Sequence, residues 1–421
     1  MIPYIEYRNS ELYIESIAVS EIAEEFGTPT YVYSKKLIED AFISYKTALS
    51  SNENLICYAV KANSNLAILD ILARLGAGFD IVSEGELNRV LTAGGDPRRV
   101  VFSGVGKTNS EIITALKSNI YCFNVESEHE LKLLNEIARE NDCEAPISIR
   151  INPDINASTH PYIATGMREN KFGVSKIEAI ELYKQAMKLN NINIQGIDCH
   201  IGSQLTEIDP IVDSIRQLLE IIATLGKYDI KLKHINLGGG LGITYNKEKP
   251  PSISAYAGAI LRELKDQDIK IILEPGRSIV GNAGFLVAKV QYLKTTPYRN
   301  FAIVDAAMND LLRPALYDAW LEIVPTSQKN TGIAKTWDIV GPVCESADFL
   351  GNQRNLCLNK GDTLAILGAG AYGFSMSSNY NSRCRASEII VNGSKVHVAR
   401  KRETFKDLIS GEACMPKDFV E

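Results

Sequence analysis

From residue 55 to 278 the chain alternates short apolar runs with longer stretches whose apolar residues recur at helical spacing. The apolar runs read as buried strands over residues 56–61, 79–83, 100–104, 121–125, 147–152, 194–202, 234–240 and 269–274. Between them lie helix-like patterns such as Leu66, Leu69, Leu72 and Ala73, and Leu131, Leu134, Ile137 and Ala138. Eight successive β-then-α units predict a closed (β/α)8 barrel, with a doubly wound open sheet as the alternative. After residue 278 the helical period fades. Short β-like runs take over at 285–293, 301–305, 336–340, 363–367, 388–391 and 396–400, separated by turn signals such as Asn392-Gly393 and Lys360-Gly361-Asp362. The expected division is a barrel over 35–278 and a β-rich domain over 1–34 and 279–421, with the N-terminal runs 12–17 and 30–33 joining the second. The long polar connection 153–173 is expected to be a lid or binding loop, or otherwise mobile.

Barrels carry their chemistry where the C-terminal ends of the strands converge. At or just past those ends stand Lys61, Asp80, Ser83, Ser103, Asn124, Glu126, Arg150, Asn152, His200, Ser203, the glycines Gly238, Gly239 and Gly240, and the run Glu274-Pro275-Gly276-Arg277. Serine and asparagine commonly open loops. A lysine, a histidine, three glycines and a Glu-Pro-Gly-Arg run at strand ends are less easily explained that way. A lysine desolvated at a strand end is expected to have a lowered pKa, and its neutral amine attacks aldehydes, the chemistry of a pyridoxal phosphate (PLP) Schiff base. Three glycines let backbone close on a phosphate. A strand-end carboxylate such as Glu274 suits a protonated pyridine nitrogen, and Arg277 suits a phosphate or carboxylate. Taken singly, each has a plainer reading: a surface lysine, a tight turn, a surface ion pair, a structural histidine.

Composition narrows the classes. A chain of 421 residues exceeds one ordinary core, and its 45% hydrophobic and 23% charged residues are globular values. A net charge of −6 argues against nucleic acid or an anionic membrane as partner. No apolar run reaches membrane-span length, and Glu6, Arg8, Glu11 and Glu15 interrupt the N-terminus as no signal peptide would be interrupted. The eight cysteines form no C-x-x-C pair, so free thiols in a cytoplasmic protein are expected. The five histidines lack metal-ligand spacing, and no metal is expected.

In the β-rich half, Arg313 and Tyr317 suit a carboxylate, Glu345 an ammonium, and Cys344 either a proton donor or a plain buried cysteine. Read in order, the motifs resemble one family closely. They are Y-A-V-K-A-N at Tyr58, D-I-V-S-E-G-E at Asp80, H-I-G-S-Q at His200, G-G-G at Gly238, E-P-G-R at Glu274, M-N-D-L-L-R-P-A-L-Y at Met308, G-P-V-C-E-S at Gly341, G-A-Y-G at Gly370 and Y-N-S-R at Tyr380. Together they span nearly the whole chain and resemble the diaminopimelate decarboxylase family, fold-type III PLP enzymes with an alanine racemase-like barrel and a β domain.

The resemblance implies decarboxylation of meso-2,6-diaminopimelate to L-lysine and carbon dioxide, the last step of lysine biosynthesis. The alternative is a same-fold decarboxylase acting on ornithine, arginine, carboxynorspermidine or a carrier-bound amino acid. It implies that Lys61 holds PLP, His200 stacks on its ring, and Glu274 meets its nitrogen. Asp80 would also contact the cofactor. Ser203, residues 238–240, Gly276 and Tyr372 would surround the phosphate, with Arg277 between phosphate and substrate. Arg277, Arg313, Tyr317, Glu345 and Tyr372 would bind substrate, and Cys344 would supply a proton. A homodimer with composite sites is the implied assembly.

Overall fold

The computed structural model describes residues 2–155, 170–330 and 332–416. Much of the expected binding loop at 153–173 therefore lies outside the described residues. The chain divides into two compact units. One holds Lys35–Ala283 with Gly370–Ser375; the other holds Met1–Ser34, Gly284–Ala369 and Met376–Glu421.

The first unit is a closed barrel of eight parallel strands: β1 (Asn54–Ala59), β2 (Gly78–Ile81), β3 (Val100–Phe102), β4 (Cys122–Val125), β5 (Ala145–Ile151), β6 (Ile192–Cys199), β7 (His234–Asn236) and β8 (Lys270–Leu273). Neighbours in the barrel are neighbours in sequence, and β8 pairs back onto β1 through Ile271–Asn54, Ile272–Leu55 and Leu273–Ile56. The open-sheet alternative is thereby excluded. Strands buried on both sides read as continuous apolar runs because the helices cover the outer face.

Side-chain caps start several of the barrel helices. Ser83, Ser127 and Ser252 accept the amides of Glu86, Glu130 and Ala255 at helix N-termini, while Thr108 and Ser175 form reciprocal capping boxes with Glu111 and Glu178. For Ser83, the plain reading of a strand-end serine is the structural one. Six of the eight strands are shorter than the apolar runs that announce them, β1 has the same length, and β5 is one residue longer. Lys61 lies on a single 3-10 turn, Val60–Ala62, just past β1.

The second unit is β-rich. Its main sheet runs in the order Phe349–Leu356, Lys335–Val340, Asn300–Val304, Gly284–Thr295, Thr30–Ser34, Ser387–Asn392, Lys395–Arg400, with Thr363–Ile366 and Ile323–Pro325 added at its side. Thr30–Ser34 sits inside this sheet because all five residues are buried, and the two tyrosines find acceptors: Tyr31 in the carbonyl of Asp310 (2.6 Å) and Tyr33 in Glu388 (2.8 Å). The strand Phe349–Leu356 was not legible in the sequence. Its polar centre, Gly351-Asn352-Gln353-Arg354-Asn355, lacks an alternating pattern.

One boundary departs from expectation. Gly370–Ser375 clusters with the barrel, not with the β-rich residues flanking it in sequence. The amide of Tyr372 donates to the carbonyl of Ala62 (2.8 Å), and Asn63 donates to the carbonyl of Gly370 (3.1 Å). Among the described residues no helix is long and apolar enough to cross a membrane.

The floor of the barrel carries one unusual residue. His234 is fully buried over Gly196, beside Tyr121, and neither ring nitrogen has a hydrogen-bond partner among the described residues. Burial, reinforced by Lys270 and Lys233, lowers its pKa to about 3. The folded protein thus keeps His234 neutral, whereas the unfolded chain takes up a proton below about pH 6.5. Its contribution to stability is complete above pH 6.5 and is lost as pH falls toward 3, by at most about 1.4 kcal/mol per pH unit. Unfolding free energies in urea at pH 7, 5.5 and 4 should fall less steeply for His234→Leu than for wild type. Parallel slopes would show that His234 is not the group responsible.

Candidate active site

At the C-terminal ends of the strands the barrel unit holds a polar cavity. It is lined by Ala59, Lys61, His200, Ser203, Gly240, Leu241, Glu274, Gly276, Arg277 and Tyr372. Residues from β1, β6, β7 and β8 and from the returning segment Gly370–Ser375 thus converge on one space, although they span more than three hundred positions of sequence.

Charge balance dominates this cavity. Lys61 is paired with Asp80, which is fully buried, while the lysine side chain remains about a third exposed (35%) and so reachable from the cavity. Burial opposes its charge, but Asp80 and Glu274 outweigh burial and hold the amine's pKa above the ordinary lysine value. The lowered pKa expected from the sequence is therefore corrected. Desolvation acts as anticipated, and two carboxyls distant in sequence reverse its outcome.

Glu274 is buried at the end of β8. It accepts from Asn236 (2.6 Å) and, at the limit of a hydrogen bond, from Asn124 (3.5 Å). Burial, reinforced by Asp80 and Asp198, pushes its carboxyl well above the usual range. Asp198 is pushed up to about 7 by burial, against the opposing charge of Arg150 and with Glu126 and Asp80 adding to the rise. Arg150 in turn bonds Glu126 (3.1 Å) and approaches Asp198 (3.8 Å). Among the described residues, the buried oxygens Asp80 Oδ1, Asp198 Oδ1 and Asn124 Oδ1 have no hydrogen-bond partner.

His200 is kept neutral, its pKa lowered by burial and by Arg150 and Lys61. The Gly239 amide donates to its Nδ1 (3.3 Å), which leaves the ring proton on Nε2. The glycine turn is a tight cradle. A Cβ at Gly239 would meet the carbonyl oxygen of Glu274 at 2.2 Å, one at Gly240 the carbonyl oxygen of Gly202 at 2.7 Å, and Gly238 has φ of +62°. Beside it, the Arg277 guanidinium donates twice to Ser203 Oγ (3.0 and 3.2 Å) and once to the Tyr245 hydroxyl (2.8 Å), and lies 4.8 Å from the centre of the Tyr372 ring.

Arg313, Tyr317, Cys344 and Glu345 belong to the β-rich unit. Arg313 is buried at the start of the short helix Arg313–Tyr317, whereas Cys344 and Glu345 are exposed on a loop. Three residues of the barrel site were not singled out in the sequence. Asn236 and Asp198 carried a usable signal, each being a polar residue within a run that buries both faces. Tyr245 carried none, since it stands in an irregular loop.

A lysine facing a glycine-lined cradle, an arginine and a buried carboxyl, all at the mouth of a parallel barrel, suit a phosphate-bearing carbonyl cofactor. The profile for the pyridoxal-dependent decarboxylase, pyridoxal binding domain, matches residues 35–281, which makes the class that of the PLP-dependent decarboxylases. The diaminopimelate decarboxylase of Pseudomonas aeruginosa is 52% identical over 411 residues, covering 98% of this chain and 99% of that protein. That of Haemophilus influenzae is 54% identical over 406 residues, covering 96% and 98%. Among solved structures, the Helicobacter pylori enzyme complexed with L-lysine superposes with a TM-score of 0.90 at 45% identity, covering 93% of this chain and 98% of that one. The chain belongs to the diaminopimelate decarboxylase family.

The charge balance is directly testable. In the cofactor-free protein, Asp80→Asn removes a carboxylate that raises the Lys61 pKa. Competitive acetylation at pH 9 and 10, read by mass spectrometry of the Lys61 peptide, should run roughly tenfold or more faster than in wild type, because a larger fraction of the amine is neutral. An unchanged rate would mean that Asp80 does not govern the amine.

Proposed function

We propose that this enzyme decarboxylates meso-2,6-diaminopimelate to L-lysine and carbon dioxide in a PLP-dependent reaction, the last step of lysine biosynthesis. The observation that carries the reading is the meeting of Lys61, buried Glu274 and the glycine cradle in a single cavity. The identity of about one half to diaminopimelate decarboxylases, over nearly the full chain, supports the substrate.

The residues present fit the cofactor. Lys61 Nζ would hold its aldehyde carbon. The cradle of residues 238–240, where added Cβ atoms would strike backbone, leaves space for a phosphate, with Ser203, Gly276 and Tyr372 around it. Neutral His200 offers a flat face to the ring. When bound, the cofactor supplies a protonated pyridine ring that accepts the electron pair left behind by carbon dioxide. Glu274, whose carboxyl is destabilised as a bare anion, is suited to face that ring nitrogen and share its proton. Asp80, paired with Lys61, would balance the charge of that amine whenever it is protonated.

Arg277, between cradle and substrate, together with Arg313 and Tyr317, would grip the distal carboxylate, and Glu345 the distal ammonium. Cys344 would give its thiol proton to the carbon that has lost carbon dioxide and recover one from solvent. We place Cys344 and Glu345 in the site of the partner subunit, in a two-fold homodimer that completes two sites by one repeated contact. The cysteines of the described chain, all free thiols, fit a cytoplasmic enzyme.

Carbon dioxide release from meso-diaminopimelate, set against lysine, ornithine and arginine, tests the substrate. Release from diaminopimelate alone is expected, and Arg313→Ala should raise KM by roughly tenfold to a hundredfold, the loss of one charge-assisted pair at about 1.5–3 kcal/mol. Comparable turnover of ornithine would overturn the assignment. Composite sites predict complementation. Lys61→Ala and Cys344→Ala should each be nearly inactive, and mixing them with subunit exchange should restore activity up to the heterodimer's share. No recovery after demonstrated exchange would put Cys344 in its own chain's site or outside catalysis.

A further inference from the structure

The loop that carries Cys344 is built almost entirely on itself. Asp348 closes its base: Oδ2 accepts the amide of Val343 (2.8 Å), Oδ1 accepts the amide of Met308 (2.6 Å), and its carbonyl accepts the amide of Gly341 (3.2 Å). Within the loop, the amide of Glu345 bonds the carbonyl of Val343 (2.8 Å) and the amide of Asp348 bonds the carbonyl of Glu345 (3.1 Å). The Cys344 amide is the exception. It donates outward, to the side-chain oxygen of Asn381 at 3.1 Å. The neighbouring Tyr380 hydroxyl donates to Glu345 Oε2 (3.3 Å).

Asn381 is held for this contact. It has φ of +56° and ψ of +28°, and Ser382 follows with φ of +54°, so two successive non-glycine residues occupy the left-handed region. That conformation costs free energy for an L-residue and persists where surrounding contacts impose it. Here they do. Asn379 Nδ2 bonds the carbonyl of Arg383 (3.0 Å) and Glu403 (2.7 Å). Arg383 is fastened to Asn309 (2.9 Å), to the carbonyl of Asp305 and to buried Asp310 (3.5 Å).

We infer that Asn381 is a positioning residue for the reaction: through the Cys344 amide it fixes where the Cys344 thiol delivers its proton, while Tyr380 orients Glu345 beside it. The inference rests on the reading of Cys344 as proton donor. A donor displaced by about 1 Å can cost on the order of a hundredfold in rate. A loop freed at its tip also lets solvent deliver the proton from either side.

Two variants separate the side chain from the backbone. Asn381→Gly keeps the left-handed conformation and removes the acceptor, and Asn381→Asp keeps both. Each is studied as the PLP-loaded full-length enzyme beside Cys344→Ala. In Asn381→Gly, amide hydrogen exchange across residues 341–348 should quicken. Its kcat should fall tenfold or more with KM within about twofold. In heavy water, the carbon that lost carbon dioxide should carry deuterium in both configurations, against one in wild type. Asn381→Asp should restore all three properties. The inference is overturned if Asn381→Gly keeps wild-type kcat and a single configuration while Cys344→Ala loses them. It is overturned equally if the glycine variant is slow but still delivers one configuration, which is the mark of a merely structural residue. Retention of both properties by Cys344→Ala would instead refute the proton-donor reading, and this inference with it.

Discussion

The barrel site depends on a shortage of positive charge. Asp80, Asp198 and Glu274 are buried together near the strand ends, and Lys61 and Arg150 are the cations set against them. A buried carboxyl is costly unless it is protonated, paired or bonded to donors. The protein uses all three solutions. Asp80 is paired with Lys61, Glu274 takes a hydrogen bond from Asn236, and Asp198 is raised toward neutrality. Any change in one carboxyl is therefore felt by the others, and the state of Lys61 is a property of the cluster.

The same constraint gives the neutral groups their roles. His200 stays uncharged because burial and two nearby cations oppose its protonation, and the Gly239 amide selects its tautomer. Arg277 stands off from this cluster, held by Ser203 and Tyr245 over the Tyr372 ring. A guanidinium set beside a glycine cradle is placed to meet an anion in bidentate fashion. The acidic interior and the basic rim of the cavity thus separate the demands of a ring nitrogen from those of a phosphate or carboxylate.

The β-rich unit solves a different problem. It presents Cys344 and Glu345 on an exposed loop, where burial cannot hold them, and order comes from discrete hydrogen bonds. Asp348 fastens the base of the loop and Asn381 its tip. Burial pushes the Asp348 carboxyl up, against the amides of Met308 and Val343 that donate to it.

The sequence by itself determined the eight βα units, the change to β structure after residue 278, and the placing of Lys61, His200, Ser203, the glycine turn, Glu274 and Arg277 at strand ends. These follow from local signals: the period of apolar residues, turn chemistry, and the polar residue that ends an apolar run. The tertiary structure alone decided the rest. It reversed the expected direction of the Lys61 pKa, because Asp80 and Glu274 lie beside the amine although they are far from it in sequence. It moved residues 370–375 into the barrel through their bonds to Ala62 and Asn63. It also brought in Asn236 and Tyr245, which support Glu274 and Arg277. Periodicity is read within a dozen residues, whereas electrostatics sums over every charge that folding brings near, and no window of sequence contains that sum.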